Sequence, residues 1–289
     1  MNIRNVLLPA LTLSLLACGV SATSAQSESA QRAAGSREDP TSALAAVPAP
    51  TFDAIHVPWN AILEQRVRGG DFDYLGLSKE RAGLDTYIAS LEAVTFDVFS
   101  TLSRTERYAF WVNAYNAYTV KRVLDGYHVK SIRDLGDEKL SVWDRDFVPL
   151  GALQPTLAKE KLTLNDIENK ILRPTFQDAR VHAAINCASK GCPPLRAEAF
   201  TAAKLEAQLD EQVKAWLADT TRNRFDAQKK RVEISKVFEW FAEDFQKEAG
   251  SATAWIARFR PTDKGWLIAR DKPTVSFLEY DWALNEAKL

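Results

Sequence analysis

The sequence has few of the residues that most often carry enzyme chemistry, and it lacks several common functional motifs. Only three histidines and three cysteines occur among the 289 residues. There is no Gly-rich phosphate loop, no repeat of fixed period and no basic stripe. Lys and Arg number 37 against 38 Asp and Glu, so the charges nearly cancel. These absences exclude a P-loop nucleotide-binding protein and a repeat protein, and nothing in the charge pattern suggests a nucleic-acid partner.

The sequence does contain enough apolar material for one folded domain. Hydrophobic residues make up 46% of the chain and aromatic residues 10%, including eight Trp. Residues 19–50 are rich in Ser, Ala, Gly and Pro but poor in large apolar side chains, so we predict a disordered tether there. No similar linker follows, and residues 51–289 are predicted to form a single globular domain.

Residues 1–18 have the pattern of an export signal. Arg4 provides a positive start, and residues 6–16 are mostly apolar. This apolar run is too short to remain in a bilayer as a spanning helix. We therefore predict that the chain is exported and that residues 1–18 are a signal peptide.

The end of this signal resembles a bacterial lipobox. Residues 15–18 read Leu-Leu-Ala-Cys, which predicts that Cys18 is acylated and becomes the new N-terminus. Gly19, rather than Asp, follows the cysteine and favours sorting to the outer membrane. The predicted location is therefore the periplasm, with a lipid anchor in the outer membrane. Ordinary cleavage after Ala22 or Ala25 is the alternative and would give a soluble periplasmic or secreted protein.

An uncharged aromatic segment over residues 108–120 predicts a buried helix. Ser103 and Glu106 have the spacing of a capping box at its start. Asn113 and Asn116 lie about 60° apart around the helix axis and share one face. Buried amides need hydrogen-bond partners, so these two side chains either hold adjacent loops or face a cleft in which they bind a ligand.

A second helix is predicted over residues 163–173. Thr163 would cap it and Pro174 would end it. Glu168 lies on the apolar side of this helix, where burial raises the pKa of a carboxyl group unless a cation reaches it. Glu168 is therefore a candidate acid or base, and an ion pair with Arg173 is the alternative.

Helices dominate the first half of the chain, and strands interrupt the second. A helix capped by Ser235 is predicted over residues 235–245, with Asp244 on its apolar face. Strands are predicted over residues 180–186, 231–235, 265–270 and 274–280. This order predicts an α+β fold in which the buried aromatic helix packs on a small, mainly antiparallel sheet.

Residues 182–192 (HAAINCASKGC) hold one histidine and two cysteines. On a continuous strand His182 and Cys187 would point to opposite faces, because their spacing is odd. Gly191 and the prolines at 193–194 are loop formers, so a turn that brings the two side chains together is possible but not implied.

Three interpretations of these side chains stay open. The first is a disulfide between Cys187 and Cys192, favoured by an even pair in an oxidising compartment once Cys18 carries lipid. The second makes Cys187 a nucleophile and His182 its base, oriented by Glu168 or an asparagine. The third is a metal site with His182, Cys187 and Cys192 as ligands and Glu168 as a fourth ligand, but the spacing matches no standard zinc motif. We predict the disulfide, and neither a metal site nor a cofactor.

Four motifs, FWVNAYNAYTV, TLNDIENKILRP, RVHAAINCASKGCPPL and EYDWALN, together resemble the domain of unknown function 547 family. The resemblance covers roughly residues 55–285 in order, and it implies no established activity. The family positions that recur in this chain are Asn113, Asn116, Glu168, Arg173, His182, Cys187, Cys192, Asp281 and Trp282. Asn169 and Gly191 depart from the family pattern, in which a histidine and a serine are common.

The sequence thus predicts an envelope lipoprotein of unknown biochemical activity. The favoured interpretation is a module that binds a small ligand or an envelope protein, with Asn113, Asn116 and Arg173 as binding residues. The alternative is a thiol hydrolase or transferase acting on envelope peptide or amide bonds, with catalytic Cys187, His182 and Glu168.

Overall fold

The computed structural model describes residues 52–288. The predicted signal peptide, Cys18 and the predicted tether over 19–50 lie outside the described residues. None of the helices between residues 52 and 288 combines the length and apolarity that a bilayer-spanning helix needs.

The structure confirms the α+β prediction, since many helices accompany two small sheets. The helices of the first half are α1 (Val57–Arg66), α2 (Tyr74–Lys79), α3 (Ala82–Glu92), α4 (Phe96–Thr101) and α5 (Arg104–Asp125). A π-helix (Asp166–Leu172) and the helices α6 (Arg173–Phe176), α7 (Val181–Ala184) and α8 (Leu205–Ala218) follow. The last helices are α9 (Val237–Trp240), α10 (Ala242–Ala249), α11 (Ala252–Phe259) and α12 (Lys264–Leu267). Short 3-10 helices lie at Phe52–His56, Ile132–Leu135, Val142–Asp144, Gly151–Leu153 and Pro155–Leu157.

The strands form two sheets in which antiparallel pairing predominates. They are β1 (Val67–Arg68), β2 (Asp71–Phe72), β3 (Arg224–Asp226), β4 (Arg231–Ile234) and β5 (Thr274–Phe277). Strand β1 pairs with β2, and β3 with β4, both antiparallel, whereas β4 and β5 run parallel. The mainly antiparallel sheet is therefore confirmed, and so are the strands predicted at β4 and β5.

The long aromatic helix α5 is the centre of the larger core. Every residue from 108 to 120 is buried, as its uncharged sequence predicts. The hydroxyl of Ser103 accepts a hydrogen bond from the Glu106 backbone N–H, and the Glu106 carboxylate accepts one from the Ser103 N–H, so the capping box is confirmed. This core includes Phe72 of the two-stranded sheet, whereas the three-stranded sheet covers a second core that contains Trp216 and Trp255.

The helix predicted over residues 163–173 begins as expected, but its turns are π-helical and it continues beyond Arg173 into α6. Thr163 Oγ accepts from the Asp166 N–H and Asp166 Oδ2 accepts from the Thr163 N–H, at 2.9 and 3.0 Å. The following turns are π-helical, with the Arg173 N–H bonded five residues back to the Glu168 carbonyl. The predicted end at Pro174 is wrong, because proline lacks only one N–H and its fixed φ suits the first turn of α6.

Two predicted strands are helical. Residues 180–186 contain α7, at the end of which the Ile185 N–H donates to the Val181 carbonyl. Within residues 52–288 this helix has no neighbouring strand to pair with. Residues 265–270 contain most of α12, where the Leu267 N–H bonds the Asp263 carbonyl. In both places the backbone N–H groups bond to carbonyls of the same segment instead of to a neighbouring strand. The predicted helix over 235–245 is present as two helices, α9 and α10, that meet at Phe241.

Candidate functional site

The stretch from residue 182 to 192 is a short helix followed by a closed turn. Helix α7 ends at Ala184, and the Cys192 N–H donates to the Ser189 carbonyl at 3.1 Å. This turn brings Cys187 and Cys192 together with their Cα atoms 6.2 Å apart, and the two cysteines form a disulfide. The predicted bridge is confirmed.

Two hydroxyl groups lie against the sulfur atoms of this disulfide. Tyr280 Oη is 3.1 Å from Sγ of Cys187 and 3.1 Å from Sγ of Cys192. Ser189 Oγ is 3.2 Å from the Cys187 sulfur and 2.9 Å from Tyr280 Oη. The C-terminal segment is therefore attached to the turn through Tyr280.

Tyr280 also explains why position 191 holds a glycine, one of the two departures from the pattern of the resembled family. A Cβ atom placed on Gly191 would come within 2.9 Å of the Tyr280 ring. A side chain at position 191 would therefore displace Tyr280, which provides one of the two hydroxyl groups that contact the disulfide.

His182 lies on α7 and is held by a carboxylate that the sequence did not assign to it. Its Nε2–H donates to Oδ2 of Asp244 at 2.8 Å, and its ring stacks on Phe241 with centroids 4.1 Å apart. Burial lowers the pKa of His182, although Asp244 opposes this shift. No other side chain among residues 52–288 bonds to the second ring nitrogen, Nδ1, which is the acceptor of the neutral ring.

Asp244 connects His182 with Arg173. Arg173 donates from Nε to Oδ2 at 2.6 Å and from Nη2 to Oδ1 at 3.1 Å. Burial alone would raise the pKa of Asp244, but the hydrogen bonds from His182 and Arg173 outweigh it and hold this pKa well below its usual range. The alternative considered for Glu168, an ion pair with Arg173, is therefore not formed, because Arg173 makes a two-bond contact with Asp244 instead.

Glu168 has few partners for a buried carboxyl group. It lies on the π-helix and is only 9% exposed. Its nearest hydrogen-bond partner is Oη of Tyr115, at a long 3.4 Å from Oε2. Burial raises the pKa of Glu168 to about 7, and Arg173 and Tyr115 oppose the shift only in part. The expectation of a buried carboxyl group with a raised pKa is supported.

Glu168, His182 and the disulfide line one pocket, which we call the aromatic pocket. Its volume is about 150 Å³. Six aromatic side chains line it: Tyr115, Trp143, Trp240, Phe241, Tyr280 and Trp282. The remaining lining residues are Asn165, Ile185, Pro193 and Val237, so neither Lys nor Arg takes part. The pocket lies where the two cores meet, since Tyr115 belongs to the first core and Val237 to the second.

Four of these aromatic rings form a continuous wall. Trp282 is the centre, with ring centroids 4.5 Å from Tyr280, 5.7 Å from Trp240 and 5.6 Å from Trp143. Trp240 and Tyr280 are 4.7 Å apart. Trp240 is 47% exposed although it is a large apolar side chain, as expected at the mouth of a binding site.

Asn113 and Asn116 do not line the aromatic pocket. Asn113 donates to the Phe200 carbonyl at 2.7 Å and accepts from the Phe200 N–H at 3.0 Å. Asn116 donates to the Ala184 carbonyl at 3.0 Å and accepts from the Asn186 N–H at 2.8 Å. Each amide thus holds a loop against α5, the structural alternative that the sequence left open.

The structure brings together four of the predicted site residues: Glu168, His182, Cys187 and Cys192. Arg173 does not line the aromatic pocket. It contacts Asp244, which in turn bonds to His182, and it lines a separate depression. Asp244 and the ring of Tyr115 were not assigned to the site from the sequence. The position of Asp244 on an apolar helix face was the available signal, because a carboxylate there needs a partner.

The chemistry open to this group is limited by the bridge. While Cys187 is bonded to Cys192 it has no thiolate, so the thiol-enzyme alternative finds no support in this arrangement. Within residues 52–288, no three His, Cys, Asp or Glu side chains are placed to hold a metal ion. What remains is an apolar pocket with one carboxyl group and one neutral imidazole.

Comparison with known proteins gives a match to one part of the chain. Residues 99–217 match the family model described as "Protein of unknown function, DUF547". No curated protein and no solved structure matches this chain significantly. The matched segment contains Asn113, Asn116, Glu168, His182 and both bridged cysteines. The match supports the resemblance seen in the motifs, and over residues 99–217 this chain carries the sequence pattern of the domain of unknown function 547 family.

Proposed function

We propose that this protein is a ligand-binding module of the bacterial cell envelope and that the aromatic pocket is its binding site. The observation that carries the proposal is the buried Glu168 carboxyl group, which has one long hydrogen bond and lines a pocket walled by aromatic rings. Pockets that are mostly apolar and contain a few polar groups are the usual form of small-molecule sites.

The energetics of Glu168 support a ligand. A buried polar group without good partners costs roughly 1–3 kcal/mol. Tyr115 at 3.4 Å compensates little of this cost. A ligand with a complementary polar group would compensate the remainder, which gives the site a reason to retain a carboxyl group among aromatic side chains.

The disulfide has a structural role in this proposal. Cys187 and Cys192 both line the pocket and receive the hydroxyl contact of Tyr280. The bridge therefore fixes the turn against the aromatic wall. A structural disulfide is also expected in an oxidising compartment, which fits export by the predicted signal peptide and anchoring through lipidated Cys18.

The test is a fragment screen in which binding is detected by NMR, from shifts of the indole N–H signals of the tryptophans. The fragments should include anionic, neutral and cationic molecules. We expect at least one class to shift the pocket tryptophan signals in a saturable way. Trp240→Ala should abolish that binding and lower the melting temperature only modestly, because about half of the side chain is exposed.

The matched control is Ile268→Ala. Ile268 is 50% exposed and does not line the aromatic pocket, so this variant should bind like the wild type. The proposal fails if no fragment class shifts the signals, or if the two variants lose binding equally.

A further inference from the structure

The aromatic pocket has a one-sided charge. Glu168 is the only carboxyl group among its lining residues, and neither Lys nor Arg lines it. His182 is buried and bonded to Asp244, and its lowered pKa keeps the ring neutral near pH 7. An anionic ligand would meet no counter-charge here, whereas a cation would meet Glu168.

The walls are also suited to a cation. The faces of Trp, Tyr and Phe rings carry negative potential and attract cations within about 6 Å. Two arginines already contact aromatic rings of the pocket lining, although neither arginine lines the pocket itself. Arg133 lies over Trp282 with its guanidinium carbon 5.2 Å from the ring centroid, and Arg173 lies over Phe241 at 4.8 Å.

The type of cation follows from the pocket walls, in which aromatic rings outnumber the acceptors that lack a strong partner, chiefly the Glu168 carboxyl group and Nδ1 of His182. A primary ammonium has three N–H donors, and each donor buried without an acceptor costs roughly 1–3 kcal/mol. A methylated ammonium has apolar methyl groups that pack on aromatic rings and need no acceptor. A volume of about 150 Å³ is that of a small head group rather than a large molecule.

We propose, as an extension of the binding function above, that the ligand carries a methylated ammonium group held between Glu168 and the Trp240–Trp282 wall. The positive charge would lie against the Glu168 carboxylate, and the methyl groups would contact the rings. Recognition of this kind needs the carboxylate in its ionised form.

Binding should therefore depend on pH through Glu168. The charged or titratable groups around it are Tyr115 on α5, Arg173 on α6, His182 on α7, Asp244 on α10 and Tyr280 beyond β5. The pKa of Asp244 is held well below its usual range by His182 and Arg173, and burial lowers the pKa of His182, whereas burial raises the pKa of Glu168 to about 7. A permanent cation binds the ionised form, and its affinity should rise by about 10-fold from pH 6 to pH 8.

The test compares choline with 3,3-dimethyl-1-butanol, its uncharged isostere, by titration calorimetry at pH 6 and pH 8. We expect choline to bind about 10-fold more tightly than the isostere at pH 8. Glu168→Gln should remove most of this preference together with the pH dependence. Glu239→Gln is the control, because Glu239 lies on α9 beside Trp240 but outside the pocket lining and should change neither.

The outcomes separate this inference from the proposed function. Equal or tighter binding of the uncharged isostere would overturn the inference that the ligand is a cation. It would not contradict the proposed binding function. Tighter binding of methylammonium than of tetramethylammonium would overturn the methylated form. If neither choline nor its isostere binds, the inference fails, and the fragment screen decides whether the binding module fails with it.

Discussion

The pKa of the Glu168 carboxyl group is strongly changed by folding. Its pKa is about 7 in the folded protein against 4.5 for the free side chain. Between these pH values the unfolded chain loses the proton and the folded protein keeps it. The free energy of unfolding therefore falls as the pH rises through this window, and the full penalty is present above pH 7.

Glu168→Gln should remove this penalty. We expect the stability of the variant relative to wild type to improve by about 3 kcal/mol between pH 4.5 and pH 7.5, because each unit of pKa shift corresponds to about 1.4 kcal/mol. Urea unfolding of both proteins at the two pH values measures this change. A stability difference that does not vary with pH would show that Glu168 ionises as freely in the folded state as in the unfolded one.

The sequence revealed the character of individual polar residues better than their partners. The helical spacing around Glu168 predicted a buried carboxyl group, and the apolar surroundings of Asn113 and Asn116 predicted buried amides. The contact of His182 with Asp244 was not predicted, because it joins residues 62 positions apart. Tyr280 was missed as a disulfide contact for the same reason.

Helix α5 holds two loops through its buried amides. Asn113→Ala should leave the N–H and the carbonyl of Phe200 without partners. We expect a loss of about 3 kcal/mol in the free energy of unfolding, and unchanged ligand binding because Asn113 does not line the pocket. Urea unfolding and the fragment titration measure the two effects.

Gln65→Ala is the control for this substitution, since the amide of Gln65 on α1 is exposed. It should change stability by less than about 0.5 kcal/mol. Lost binding with unchanged stability in Asn113→Ala would mean that Asn113 is a binding residue after all.

Helix α10 contributes Asp244, which joins α7 to the end of the π-helix. Asp244→Asn should destabilise the protein by about 2 kcal/mol at pH 7, because a charge-assisted contact with Arg173 and the bond to His182 are weakened. The contribution is present at neutral pH and is lost only in acid, since the folded pKa of Asp244 lies below its usual range.

Glu239→Gln provides the comparison on the neighbouring helix. Glu239 forms an exposed pair with Lys236, and such pairs contribute about 0–1 kcal/mol. Urea unfolding should show a clearly larger loss for Asp244→Asn than for Glu239→Gln. Equal losses would make the Arg173–Asp244–His182 contact no stronger than a surface pair.

Elements with strong local signals were predicted, and those decided by tertiary context were not. The capping box and the uncharged run of α5 are local, and so is the alternation in β4. Residues 180–186 have a sequence that suits a strand, but no strand lies beside them to accept the pairing. The π-helical turns over Asp166–Leu172 have no sequence signature that separates them from an α-helix.

Across the whole chain, composition and order of elements were enough to predict one α+β domain. The division of its interior into two cores was not predictable, because it depends on which helices pack together. The predictions of export and of a lipid anchor rest on residues that precede the described domain. They remain predictions about the location of the protein.

Cys18→Ser tests the anchor. Wild-type protein should fractionate with membranes and incorporate a labelled fatty acid, whereas the variant should do neither. Ser21→Ala, in the same segment, should behave like the wild type because the lipobox stays intact. A wild-type protein that is soluble and begins at Thr23 or Gln26 would show that ordinary signal cleavage occurs instead.

We propose that the pocket is a binding site with a disulfide in its wall and not a thiol active site. The intact mass of the purified protein, measured with and without an alkylating reagent and before any reduction, distinguishes the two. We expect a mass two hydrogens below that of the reduced chain, with no label until the protein is reduced and unfolded. Rapid labelling of Cys187 in the native protein that is lost in His182→Ala would instead establish a working thiol.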